Sequence, residues 1–149
     1  MNKKVLIIIG SKSDQPYADE TAAMLDKFDI EYDMKISSAH RHPDQTVRLA
    51  REAAEHGFGV IICMAGMAAH LPGVVAANTN LPVIGVPVPA TLDGIDSLLS
   101  MTQMPPGIPV ATVAIGKAGA KNGAVLAARI LGLFDDDIAE KHRQYRQSL

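Results

Sequence analysis

The chain has 149 residues, 48% hydrophobic but only 4% aromatic, with a formal net charge of −2. That length favours a single domain with a proper core, and the near-neutral charge gives no basis for a nucleic-acid surface. The one cysteine, Cys63, lies in an apolar run, which rules out an internal disulfide and suits a reducing cytosol.

Lys3 and Lys4 precede an apolar run too short for a signal-peptide core or a membrane span, so a cytoplasmic protein is expected. VLIIIG (5–10) is a continuous β-branched run, the mark of a central strand buried on both faces. After SKSD, residues 15–29 read as a helix, with Asp14 as N-cap, Pro16 in the first turn and a stripe of Ala22, Leu25 and Phe28. Residues 30–36 alternate apolar and polar, as a second strand does. SSAHRHPD (37–44) then leads into an amphipathic helix ending at Gly57.

VIICMAG (60–66) is a third buried strand, followed by helix-like spacing that Pro72 and Gly73 are expected to break. Residues 82–88 form a fourth strand, with Pro82 at its start and Pro87 at its exit. A helix around 95–101, a PPG turn at 105–107 and a fifth strand at 109–115 come next. An Ala-rich helix at 118–134 and a polar helical tail complete the chain. The alternation predicts a three-layer α/β/α domain, a flavodoxin-like doubly wound parallel sheet. The Ala-rich helix is apolar on more than one side, so it and the tail are expected to pack on neighbouring subunits.

Three loops fall at the carboxyl ends of strands, where open parallel sheets bind ligands. They place Ser11, Ser13, Asp14, Ser38, His40, Arg41 and His70 on one rim. GSKSD offers hydroxyls and N–H groups at a helix start, suited to an anion. It lacks the endings of a P-loop and the glycines of a dinucleotide fingerprint. Asp14 suits sugar hydroxyls better than phosphate, whereas the planar fork of Arg41 suits phosphate. Histidine is the side chain suited to giving and taking a proton within one turnover at physiological pH, which makes His40 the candidate acid/base. AGMAAHLPG supplies a small, apolar wall with one imidazole, His70, and residues 85–88 and 92–100 extend it. Such a wall suits an intermediate that must not meet water. Cys63 reads as a buried hydrophobe, His42 as an exposed loop residue, His56 and His142 as solvated helix positions, and Asp93 and Asp96 as helix caps. No metal constellation and no Ser-His-Asp logic is present in the pattern.

GSKSD, SAHRHPD, AGMAAHLPGVVAA, LPVIGVPV, LDGIDSLLSMTQMPPGIPVATVAI and AGAKNGAVLAARIL, in this order, carry a resemblance over essentially the whole chain. The chain resembles the PurE family of purine biosynthesis, and its third loop and DSLLS–QMP–PVATVAI block resemble the bacterial mutase branch. The resemblance implies isomerisation of 5-carboxyaminoimidazole ribonucleotide, a carbamate, to 4-carboxy-5-aminoimidazole ribonucleotide. It further implies no metal or organic cofactor, a small-molecule nucleotide as the only ligand, and a homo-octamer. By match to the family motifs, His40 is the general acid/base and Ser11, Asp14 and Arg41 bind substrate. Ser13, Ser38, Ala68, His70 and Leu71 line the same pocket.

Two positions depart from that pattern. His42 stands where the family usually has Thr and is expected either to replace a hydroxyl contact or to perturb His40. Met67 stands where many members have Gly. The tail is shorter than in some relatives, which is expected to alter intersubunit contacts. The competing readings are carboxylation of the unmodified nucleotide by free carbon dioxide and a non-catalytic nucleotide-binding module on the same fold. A phosphoacceptor receiver domain would need an acidic cluster at the strand ends, and residues 10–14 supply one carboxylate.

Overall fold

The computed structural model describes residues 3–149. Its first strand, β1 (Lys4–Ile9), runs through a 3-10 turn at Lys12–Asp14 into α1 (Gln15–Asp26). There follow β2 (Tyr32–Ile36), α2 (Pro43–Glu52), β3 (Phe58–Gly66), α3 (Leu71–Ala76) and β4 (Val83–Val88). The last elements are α4 (Ile95–Thr102), β5 (Ala111–Thr112), α5 (Lys117–Leu131) and α6 (Asp136–Gln147).

All strand pairs are parallel and the sheet order is β2-β1-β3-β4-β5. The continuous apolar runs are what such a sheet requires, because β1, β3 and β4 are covered on both faces. Val5, Ile7, Ile9, Val60, Ile62, Met64, Ile84 and Val86 point to one side, where α1, α5 and α6 pack. Leu6, Ile8, Ile61, Cys63 and Val83 point to the other, under α2, α3 and α4. The period-2 alternation thus divides one run of side chains between two cores. This is the doubly wound, flavodoxin-like architecture expected from the alternation of elements. Cys63 is fully buried, and burial pushes its thiol pKa well up.

Some elements depart from expectation. The fifth strand pairs over two residues, not seven: Pro109 has no N–H to give, and beyond Thr112 only isolated bonds persist, Val113 N–H to Gly85 and Gly116 N–H to Pro87. Pro87 lies inside β4, with its missing N–H on the side that β5 has already left. Pro72 and Gly73 do not break a helix but sit in α3, with Pro72 in its first turn. Asp93 caps nothing; Gly94, at φ +88°, takes the N-cap of α4, and Asp96 accepts the Ser97 N–H. His56 lies in the turn after α2 rather than on the helix.

The apolar surface of α5 is used within the chain. Gly119, Ala120, Gly123, Ala124, Ala127 and Ala128 are buried against the sheet and α1. The tail helix α6, capped by Asp135 through the Asp137 and Ile138 N–H groups, docks on the same side of its own chain. There Tyr145 meets Phe28 edge-on at 5.5 Å and His142 stacks obliquely on Phe28 at 6.2 Å, so His142 is half-buried rather than solvated. These intrachain contacts account for the buried face of α5 and of the tail helix. Among the described residues no helix is long and apolar enough to cross a membrane.

Candidate active site

Because β2 and β3 flank β1, their carboxyl-end loops meet above it. The loops after β1, β2, β3 and β4 line one cleft of about 680 Å³.

The first loop is a small self-capped unit. Ser11 accepts the Ser13 N–H through its hydroxyl, and the Asp14 carboxylate accepts the Ser11 N–H at 3.1 Å, a reciprocal capping box. The Ser11 and Ser13 hydroxyls are hydrogen-bonded to each other. Asp14 stands at the N-cap position of α1 without capping it; its side chain turns back to the loop instead. Asp14 is 6% exposed, and burial raises its carboxyl pKa, only partly offset by the Ser11 and Gly10 N–H groups.

The second loop is held from below. The buried hydroxyls of Ser37 and Thr46 share a hydrogen bond of 2.7 Å, and the Ser37 N–H donates to Ile9. His42 N–H closes a turn onto the Ser38 carbonyl at 2.8 Å, so Ala39, His40 and Arg41 form its crest. The Ser38 hydroxyl accepts the Arg41 N–H, and the Arg41 guanidinium reaches the Gly10 carbonyl at 3.5 Å. No carboxylate among the described residues pairs with that guanidinium, which leaves its fork for an anion.

The third loop leads into α3, with His70 at the N-cap position. Its ring turns toward the second loop: His70 Nδ1 and His40 Nε2 are 2.7 Å apart, with the rings edge-on at 84°. A bond between two ring nitrogens carries one proton, so one ring donates and the other accepts. Beside this pair, Ala65, Gly66, Ala68, Leu71, Val88, Pro89 and Ala90 make a wall without an ionisable group.

All of the residues expected at the site line this one cleft: Ser11, Ser13, Asp14, Ser38, His40, Arg41, Ala68, His70 and Leu71. His42 does not; it is exposed just before α2, as expected of a loop residue, and of the two effects expected of its imidazole a direct contact in the cleft is not seen. Residues 92–100 do not line it either; that part of the wall is Pro89 and Ala90. Tyr17 was missed, although it lies three residues after Asp14, on the helical turn that faces the loop. His40, Arg41 and Met67 are exposed, so the single chain forms an open cleft rather than the closed chamber expected from its wall. Among the described residues no three His, Cys, Asp or Glu side chains converge as a metal-ligand set.

This arrangement sets the Arg41 guanidinium and the serine loop at one part of the cleft and the paired imidazoles of His40 and His70 beside the small-residue wall. Comparison with known proteins places the chain in a family. A family model described as AIR carboxylase matches residues 4–149. N5-carboxyaminoimidazole ribonucleotide mutase of Pseudomonas aeruginosa is 55% identical over 150 residues, covering 100% of this chain and 88% of that protein. The mutase of the same name from Bacillus subtilis is 52% identical over 149 residues, covering 99% and 92%. The crystal structure of Treponema denticola PurE superposes with a TM-score of 0.87 at 36% identity, covering 97% of this chain and 89% of that one. With the strand order, the three strand-end loops and nearly full-length identity in agreement, the chain belongs to the AIR carboxylase family, that of PurE.

Proposed function

We propose that this protein is a purine-biosynthetic mutase that moves the carboxyl group of 5-carboxyaminoimidazole ribonucleotide from the exocyclic nitrogen to the ring carbon, with His40 as the acid/base. The observation that carries this reading is the hydrogen-bonded His40–His70 pair standing between an anion-binding rim and a wall of small apolar residues. The activity named for relatives more than half identical supports it.

Ser11, Ser13 and Arg41 take the phosphate, and Asp14 takes ribose hydroxyls. Ser38 positions the Arg41 backbone. Ala68, His70 and Leu71 line the reacting end. His40 gives a proton to the exocyclic nitrogen as the carbamate carbon departs as carbon dioxide. The ring carbon then adds to that carbon dioxide, and His40 removes the ring proton. One imidazole serves both transfers because it ends as it began. In the free chain His70 occupies His40 Nε2, so transfer from that atom requires the nucleotide to replace the His70 contact. Holding the two fragments together makes the recombination unimolecular, an advantage of 10⁵–10⁸ M in well-oriented cases at the order-of-magnitude level.

Assaying both substrates tests the reaction. Isomerisation of the carbamate nucleotide should far outpace carboxylation of the unmodified nucleotide by carbon dioxide; the reverse order would make the protein a carboxylase.

Asp14 gives a second test. Burial raises its folded pKa above the unfolded value, so the folded chain binds the proton more tightly. Below the ordinary carboxylate range the group costs nothing. As pH rises through the raised folded pKa its ionisation opposes folding. Asp14→Asn should therefore melt higher than the parent by a margin that grows as pH rises above the ordinary carboxylate range, while KM for the nucleotide rises. Melting curves with a constant or shrinking margin would contradict the assignment.

Cytoplasmic location and homo-octameric assembly complete the reading. Leu92, Ile95 and Leu99 present one exposed apolar stripe at helical spacing, and Leu133 and Phe134 a second; surfaces of this kind mark subunit contacts. Sedimentation at low micromolar concentration should give a mass near eight chains, and a species near the chain mass of 15.8 kDa would refute the assembly.

A further inference from the structure

Met67 stands in a conformation that its side chain disfavours. Its φ is +54°, where an L-residue's Cβ crowds the following carbonyl oxygen and glycine is the natural occupant. The surrounding backbone imposes that angle. Gly66 closes β3 against β4 so tightly that a Cβ there would come within 3.2 Å of the Val88 carbonyl oxygen. Beyond it, the Met67 carbonyl accepts the Ala69 N–H at 2.9 Å, and the Ala68 carbonyl accepts the His70 N–H at 2.9 Å. The turn is tied at both ends, and a glycine at position 67 would meet it without strain.

Nor does core burial compensate. The Met67 side chain is 61% exposed, yet it lines the same cleft as His40, His70 and Ala90. A residue that does both stands on the rim. Its loop lies between the serine loop after β1 and the Pro89–Ala90 segment after β4. A thioether chain with three rotatable bonds adapts readily to an irregular apolar surface. Strain of this kind gathers where it serves the site.

We propose that Met67 sets how completely carbon dioxide is retained during the reaction, by folding over the small-residue wall once nucleotide is bound. This rests on the mutase reading. In the step concerned, the bond from the exocyclic nitrogen to the carboxyl carbon breaks, its electron pair stays on nitrogen, and nitrogen takes the proton from His40. The carbon dioxide then meets one of two fates. It accepts the electron pair of the ring carbon, forming the new carbon–carbon bond while the ring proton passes to His40. Alternatively it leaves the cleft, giving the unmodified amine nucleotide and consuming one proton, which His40 recovers from solvent.

The test supplies the carbamate nucleotide, ¹³C-labelled in the carboxyl group, in unlabelled bicarbonate buffer. Amine nucleotide and product label are measured for the parent, Met67→Gly and Met67→Leu, with uncatalysed decay subtracted. Met67→Gly should raise the ratio of amine to product by about threefold or more and dilute the label, with KM moving by no more than about twofold. Its melting temperature should not fall, since the strain is relieved. Met67→Leu should return the ratio to near that of the parent. A parental ratio in Met67→Gly overturns the proposal, and so does a rise accompanied by a lower melting temperature or by an equal rise in Met67→Leu. A parent that forms no product from the carbamate overturns the mutase reading itself, and the role of Met67 with it.

Discussion

His40→Asn should lower turnover by about 10²–10⁴-fold, the usual worth of a positioned acid/base, with nucleotide affinity nearly intact. The asymmetry follows from the layout of the second loop. Its shape depends on the Ser37–Thr46 hydroxyl pair, the His42-to-Ser38 backbone bond and the Ser38–Arg41 contact, none of which uses the His40 ring. Arg41, Ser11 and Asp14 therefore keep their places when the imidazole is removed. Asparagine preserves polarity and approximate reach but cannot exchange a proton near neutral pH. Steady-state kinetics and direct nucleotide titration separate the two effects, and near-parental turnover would remove His40 from the chemistry.

Gly119→Ala should leave little folded protein, a loss of more than about 4 kcal/mol, beyond what single substitutions usually cost. The position lies in the first turns of α5, where the helix crosses the segment leaving β5, and a methyl group there would overlap the Ala114 carbonyl oxygen. Ala114 cannot simply yield. Gly116 N–H is bonded to Pro87 in β4, and Ile115 already fills the space beside Gly94 at the start of α4. Moving one carbonyl thus disturbs α5, the end of β5 and the approach to α4 together. Gly123→Ala is the control. Its methyl would meet Val86 at 3.3 Å and Ile62 and Ile84 at 3.7 Å, all flexible side-chain ends. Denaturant melts should place that variant within about 1 kcal/mol of the parent. Equal stability for the two variants would contradict the packing described here.

Much of this molecule can be read from its residues one at a time. The β-branched runs of β1, β3 and β4 announce a sheet covered on both faces, and Ala22, Leu25 and Phe28 announce the buried side of the first helix segment. What eludes such reading is set by position in space. The run at 109–115 resembles the central strands, yet its place at the sheet edge shortens it to two paired residues. Pro72 looks like a helix breaker because sequence does not reveal that it falls in the first turn, where its missing N–H costs nothing. Asp14 looks like a helix cap, whereas the fold turns its carboxyl back onto Ser11.

The site shows the same division. Residue type and loop position bring Ser11, Asp14, Ser38, Arg41, His40 and His70 to one rim. The bond from His40 to His70 spans 30 residues and exists because β2 and β3 stand on either side of β1. His42 sits two residues from His40 and falls outside the cleft lining, because the turn after Ser38 carries it into the start of α2.

The double proton transfer is tested most directly by a crystal structure with the carboxylated nucleotide bound. A His40 ring nitrogen should lie within about 3 Å of the exocyclic nitrogen or the ring carbon that receives the carboxyl group, with the phosphate held by Arg41 and the serine loop. A His40 ring turned to bulk water, with another acid at the reacting carbon, would contradict it.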